Sequence, residues 1–218
     1  MKKTARKWYL LAGVFFFLFL LLTLLVTKVD VQPIGPQDSF VGLASLNGAV
    51  FELCGSNPIW YTVSEGLGIV ALLCVAGFAG FGIWQWISRK SLKKVDKSLF
   101  VLAGFYVAVA VVYALFEVIV INYRPVLVEG VLEASYPSSH TVLVCCIMLT
   151  TALQLGARIK NKPLRLVLQW ICCVIFILTA VGRIFAGVHW YTDVLAAILI
   201  SGALVFAYLG TVRQLNAK

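Results

Sequence analysis

The chain has two histidines, His140 and His189, and both sit in polar stretches that border long apolar runs. Asp193 follows His189 at an interval of four, which places the two on one face of a helix. A carboxylate so placed can keep one imidazole nitrogen protonated and leave the other as a nucleophile towards phosphorus. His140 closes the stretch Tyr136-Pro137-Ser138-Ser139-His140, where an imidazole can serve as the general acid that protonates a departing oxygen. Pro137-Ser138-Ser139 ahead of an apolar run reads as a helix start. Its free N–H groups and positive dipole end attract an anion, and the hydroxyls of Ser138 and Ser139 add donors. Arg124 and Arg183 contribute planar forks that match phosphate oxygens bidentately, which lysine does less specifically. Each residue taken singly is explained equally well as an interfacial polar group capping a helix. The whole set is better explained by a phosphate ligand.

These residues meet only if the elements carrying them end on one surface. Hydrophobic residues make up 61% of 218 residues and charged residues 12%, with a mean hydropathy of +0.97. A soluble domain of this size cannot bury so much apolar surface, whereas a bilayer can. Runs long enough to cross a bilayer occur near residues 9–27, 66–87, 99–121, 140–156, 166–181 and 190–210. The expected fold is therefore all-α: six transmembrane helices in one bundle, as a single membrane-embedded domain over residues 1–218. The first run follows Lys2, Lys3, Arg6 and Lys7 but is too long for a signal peptide and lacks a small-residue cleavage site, so an uncleaved anchor is expected. Phe40, Leu43, Leu46 and Val50 fall near helical spacing, and that segment is read either as a helix along the outer surface or as a loop.

The net charge of +9 raises the question of nucleic acid, and its distribution answers it. The amino-terminal arm, the second-to-third connection, the fourth-to-fifth connection and the tail hold fifteen of the eighteen basic residues. Only Lys28, Arg124 and Arg183 lie on the other side. No basic stripe interleaves with aromatics, so no nucleic-acid partner is expected. The positive-inside rule places both termini in the cytoplasm. Arg124 and Arg183 break that asymmetry at the outer ends of the third and fifth spans, on the same face as both histidines. Five of the six cysteines lie inside apolar runs and form no disulfide framework.

At this point the chain resembles a known family. Arg124-Pro125, Pro137-Ser138-x-His140 and Arg183-x5-His189-x3-Asp193 match, in order and interval, the three-part signature of the type 2 phosphatidic acid phosphatase/haloperoxidase superfamily. The resemblance implies an integral-membrane lipid phosphatase with no metal or other cofactor and no obligate protein partner. It implies a phosphoenzyme on His189 assisted by Asp193, a proton donor in His140, and a phosphate cradle of Arg124, Ser138, Ser139 and Arg183. Three positions depart from the signature. Ser139 stands where it has glycine, Gly182 where it has serine, and Glu117 where it has lysine. Glu117 precedes Arg124 by seven residues, two helical turns, so it is expected to face the pocket beside Arg124. There it would pair with the guanidinium, read a headgroup or alter catalysis.

Three functions remain open on these grounds. The first is a hydrolase of a phosphorylated membrane lipid such as a polyprenyl (undecaprenyl) diphosphate, a phosphatidylglycerol phosphate or phosphatidic acid. Its site would face outward from a plasma membrane, by analogy a bacterial one. The second is a phosphotransferase passing the phosphate to another lipid. The third is a non-catalytic lipid-binding or transport protein, for which Glu117 is the only support and against which the lack of repeated or broken spans speaks.

Overall fold

The computed structural model describes residues 3–215, so Lys2 and Lys218, which contribute to the charge asymmetry, lie outside the described residues. The chain is all-helical, with only isolated β-bridges in its connections among the described residues. Its helices are α1 (Lys3–Lys28), α2 (Ala44–Cys54), α3 (Pro58–Arg89), α4 (Lys97–Val118), α5 (Ser139–Arg158), α6 (Lys162–Phe185) and α7 (Tyr191–Leu215). All except α2 are long and apolar enough to cross a membrane, and the protein is a multi-pass membrane protein.

Burial separates the spans into a centre and a rim. The most apolar windows of α5 and α7 are 61% and 56% buried, against 11–22% for the other four spans. The centre can therefore afford polar side chains with partners, and Thr150, Gln154 and Ser201 are all buried there and hydrogen-bonded. The rim instead presents Leu10, Phe17, Ile69, Leu73, Val107 and Trp170 outward, as a helix bordered by lipid requires.

Close packing fixes α1 along α7. Phe15 lies against Gly202, where an added Cβ would sit 2.3 Å from the ring, and Phe15 and Trp8 both contact the Phe206 ring. Small residues at such crossings let helices approach where lipid offers no hydrophobic driving force.

The segment containing Phe40–Phe51 does form a helix, α2, and it packs on the start of α7. Asn47 explains the docking. Its Nδ2 donates to the Gly42 carbonyl at 2.8 Å and to Thr192 Oγ1 at 2.9 Å, while its Oδ1 accepts from the Thr192 N–H at 3.1 Å. The first turn of α7 is thus capped by a side chain from another helix, satisfying an N–H that has no intrahelical acceptor. Asn47→Ala leaves that buried N–H without a partner and should cost about 1–3 kcal/mol. Unfolding of the purified protein in detergent measures this; an unchanged midpoint would show that α2 does not hold α7.

Candidate active site

The polar residues singled out by spacing lie at the end of the bundle where α3, α5 and α7 begin and α4 and α6 end. His189 sits in the short α6–α7 connection, which turns at Gly187 with φ +67°. A Cβ there would also lie 2.8 Å from the Ser56 side chain and 2.9 Å from the Gly55 carbonyl. Glycine is the residue that adopts this left-handed turn against such neighbours at low cost.

His189 is buried, and its Nδ1 lies 3.1 Å from the Ser135 carbonyl. A carbonyl only accepts, so Nδ1 carries the proton and Nε2 the lone pair. The Asp193 carboxylate is further off, 3.8 Å from Nδ1. The bond that fixes the tautomer therefore goes to the backbone, while the Asp193 carboxyl group stands behind it. Asp193 is itself held by the Trp190 N–H at 2.9 Å and Asn122 Nδ2 at 3.3 Å. Burial, then the charges of Arg183 and Arg124, hold His189 well below the ordinary imidazole pKa, and the Ser135 bond opposes them. The ring is kept neutral.

His140, on the first turn of α5, has its Nε2 2.9 Å from the Ser64 carbonyl of α3. The same reasoning assigns that proton to Nε2, leaving Nδ1 as the atom that gains or gives a proton. Nδ1 lies 3.8 Å from Glu65. Glu65 also pairs with Arg183 Nη1 at 2.6 Å, while Arg183 Nη2 lies 3.4 Å from His189 Nε2. Glu65 thus joins the two imidazoles through one arginine.

The other expected residues divide. Arg124 and Ser139 line a cavity of about 400 Å³ together with Glu65, Tyr113, His140 and Arg183. Ser138 lies behind that wall, fully buried, with its hydroxyl 2.9 Å from Thr141. Its N–H bonds the Asp193 carbonyl. The structure therefore shows Ser138 tying α5 to α7, and brings Ser139 alone of the pair to the cavity.

Glu117 makes no ion pair with Arg124 among the described residues. The two-turn argument assumes continuous helix, but α4 ends at Val118 and Arg124 lies in the extended connection beyond it. Glu117 is exposed and outside the cavity lining. Arg124 pairs instead with Glu133, whose Oε2 is 3.0 Å from Nε at an angle that makes it an ion pair without a hydrogen bond. Gly182 has a packing reason: a Cβ there would approach the Trp60 ring to 3.3 Å and Ser64 to 3.4 Å. Ser64 returns a hydroxyl to Arg183 at 3.5 Å.

A family model described as "PAP2 superfamily" matches residues 119–217, the segment that carries Arg124, His140, Arg183, His189 and Asp193. This carboxyl-terminal segment belongs to the PAP2 superfamily. The chain is similar in fold to the crystal structure of a transmembrane PAP2-type phosphatidylglycerolphosphate phosphatase from Bacillus subtilis. The TM-score is 0.61 at 20% identity, covering 95% of this chain and 98% of that one. No curated protein matches the chain. Glu65 and Ser64 lie outside the PAP2 segment, on the helix that walls its site.

Sequence reasoning missed Glu65, Ser64, Asn122 and the Ser135 carbonyl. The signal for Glu65 was present. Pro58 follows Asn57, and the Asn57 side chain caps α3 at the Ile59 N–H, starting the helix eight residues before the expected Gly66. That places Ser64 and Glu65 nearly two turns inside a helix facing α5.

Gly68 shows how tightly this geometry is set. A Cβ on Gly68 would lie 2.4 Å from His140 Cε1 and 2.7 Å from Nε2, so the ring must move and break its bond to Ser64. Misplacing a reacting group by about 1 Å can cost roughly 100-fold. Gly68→Ala should therefore lower turnover of a phosphate ester by about that factor. Gly66→Ala, where nothing lies within 4 Å of the added Cβ, should leave it near wild type. Equal rates for the two variants would remove His140 from the reaction.

Proposed function

We propose that this protein is an integral-membrane phosphatase that hydrolyses a phosphorylated lipid through a phosphohistidine on His189. The observation that supports it best is the pairing of two imidazoles with opposite assigned tautomers across Arg183, beside a cavity polar at one end and apolar at the other. Arg124, Ser139, His140 and Arg183 make the polar end; Ile69, Leu72 and Leu143 make the apolar one. A second cavity of about 270 Å³, lined by Leu72, Val75, Tyr106, Val109 and Leu143 among others, shares Leu72, Tyr113 and Leu143 with the first. It continues down between α3 and α4. An amphiphile with its phosphate among the arginines and its chain along α3 and α4 fits this shape.

The proposed reaction follows from the assigned protons. A phosphate oxygen accepting from Arg183 Nη2 takes the donor that faces Nε2, leaving the lone pair turned to phosphorus. Nε2 attacks and the P–O bond to the lipid breaks. His140, entering the step as an imidazolium with a proton on each nitrogen, gives its Nδ1 proton to the departing oxygen and is left as the neutral Nε2–H tautomer. Water then attacks phosphorus with His140 taking its proton, releasing inorganic phosphate and freeing His189. Arg124 and Arg183 offset the developing charge where a metal ion otherwise would, so the mechanism is written without a metal. The charge asymmetry supports a reading with both termini in the cytoplasm and the site on the outer face of a plasma membrane, in keeping with a bacterial lipid.

Phosphate release from a panel of lipid diphosphates, phosphatidylglycerol phosphate and phosphatidic acid tests the reading. One substrate class should turn over in excess chelator, and His189→Ala should reduce it to under about 1% of wild type. Phosphate recovered on a second lipid, with none released, would replace hydrolysis by phosphotransfer. Full dependence on added magnesium would overturn the metal-free mechanism.

The depressed pKa of His189 fixes the direction of the pH response. A free imidazole loses its lone pair as pH falls through about 6.5. His189 stays neutral through that range, so kcat/KM should hold there and decline only at lower pH, once the substrate's own ionisation is allowed for. An acidic limb centred at or above 6.5 would show that His189 is not held in this environment.

A further inference from the structure

A large cavity lies at the opposite end of the bundle from the two histidines. It measures about 860 Å³, within the size range of small-molecule sites, and opens between the start of α4, the end of α5, the start of α6 and the end of α7. Lys97, Arg158, Arg165 and Arg213 line it, with Asp96 as the one carboxylate. Asp96 is already engaged by Arg89 at 3.0 Å and Gln85 Nε2 at 2.9 Å, and reaches Arg158 only at 3.6 Å. Lys97, Arg165 and Arg213 make no ion pair among the described residues. The cavity therefore has a net positive wall.

Two ordinary explanations fall short. Cations at helix carboxyl ends complement the macrodipole, which accounts for Arg158 on α5 and Arg213 on α7. Lys97 begins α4 and Arg165 lies in the first turn of α6, where the dipole disfavours a cation. A topology bias places basic residues on this face but does not gather them around a hollow. The wall also holds unmet polar atoms. Gln154 is buried there, and its Oε1 has no donor; Arg158 Nε is buried without an acceptor. An occupant that both accepts strongly and carries a hydroxyl answers both.

We propose that this cavity binds a phosphate group carried on a hydroxyl-bearing headgroup, namely that of an anionic glycerophospholipid in the leaflet at the amino-terminal end. The phosphate oxygens accept from Arg158, Arg165 and Arg213, and a headgroup hydroxyl donates to Gln154 Oε1. The helix ends that line the cavity place it at headgroup depth, and Leu153, Leu209 and Val212 supply an apolar flank for the glycerol and first acyl carbons. The site lies at the other end of the bundle from the proposed phosphatase site and shares no residue with it.

The test uses the full chain in nanodiscs of phosphatidylcholine, with and without phosphatidylglycerol, and in detergent with inorganic phosphate. Wild type should retain phosphatidylglycerol in native mass spectrometry, and phosphatidylglycerol should raise its thermal midpoint. Arg165→Gln/Arg213→Gln should weaken both at least tenfold, leaving phosphate release from a short-chain substrate within about twofold. Lys93→Gln/Lys160→Gln removes two exposed charges from the same face outside the cavity and should change neither. Equal loss in that control would reduce the effect to diffuse surface charge and overturn the site. So would equal retention of phosphatidylcholine and phosphatidylglycerol by wild type. A full midpoint shift from millimolar inorganic phosphate, lost in the arginine variant, would overturn the lipid source in favour of the free anion.

Discussion

A carboxylate with no exposure to water must be satisfied wholly by protein; at Asp193 two chain segments do this, and a third joins them through the residue's main chain. One oxygen takes the Trp190 N–H, the other takes Asn122, and the Asp193 carbonyl takes the Ser138 N–H that starts α5. Asn122 in turn accepts from Gly42, tying in the connection between α1 and α2 at 3.3 Å. An unpaired buried charge is among the costliest features a fold can carry. The sites of His189, the α5 start and the α4–α5 connection are therefore set together, and none can shift without stranding this group.

The same economy explains why His189 is bonded to a backbone carbonyl and not directly to Asp193. The two carboxylate oxygens are already directed to an N–H and an amide, and Ser135 offers its carbonyl at 3.1 Å. The imidazole is oriented by a main-chain group whose position is fixed by the Ser135 N–H bond to the Asn122 carbonyl. Neutrality of the ring follows from burial beside two guanidiniums, and orientation from the carbonyl. Two properties that the proposed role of His189 requires thus come from different sources.

Glu65 adds a second layer. It stands in the cavity wall against both Arg183 and His140, so part of the arginines' positive charge is already answered within the protein. On the proposed reading, an arriving phosphate would compete for Arg183 with a carboxylate at 2.6 Å. Binding of an anion there would be an exchange of partners, which costs less than uncovering a buried charge and would favour anions carrying more than one negative charge.

Composition and periodicity determined six membrane helices, because an apolar run of about 20 residues has few other places to go. Residue type and interval also pointed to Arg124, Ser139, His140 and Arg183, which the fold brings to one cavity wall, and to His189 and Asp193; all but Arg124 lie at or near a helix end, where sequence separation translates into position. The expected pair of Glu117 with Arg124 does not form: their seven-residue interval had helical meaning only if α4 continued, and it stops at Val118. Ser138 reads as a phosphate donor by sequence but is turned inward to Thr141 by the packing of α5 on α7. Glu65, Asn122 and the Ser135 carbonyl were decided by tertiary structure alone. Their contacts join residues 54 to 118 positions apart, and separations of that size carry no periodic trace, because they are set by how helices pack and not by how one helix turns.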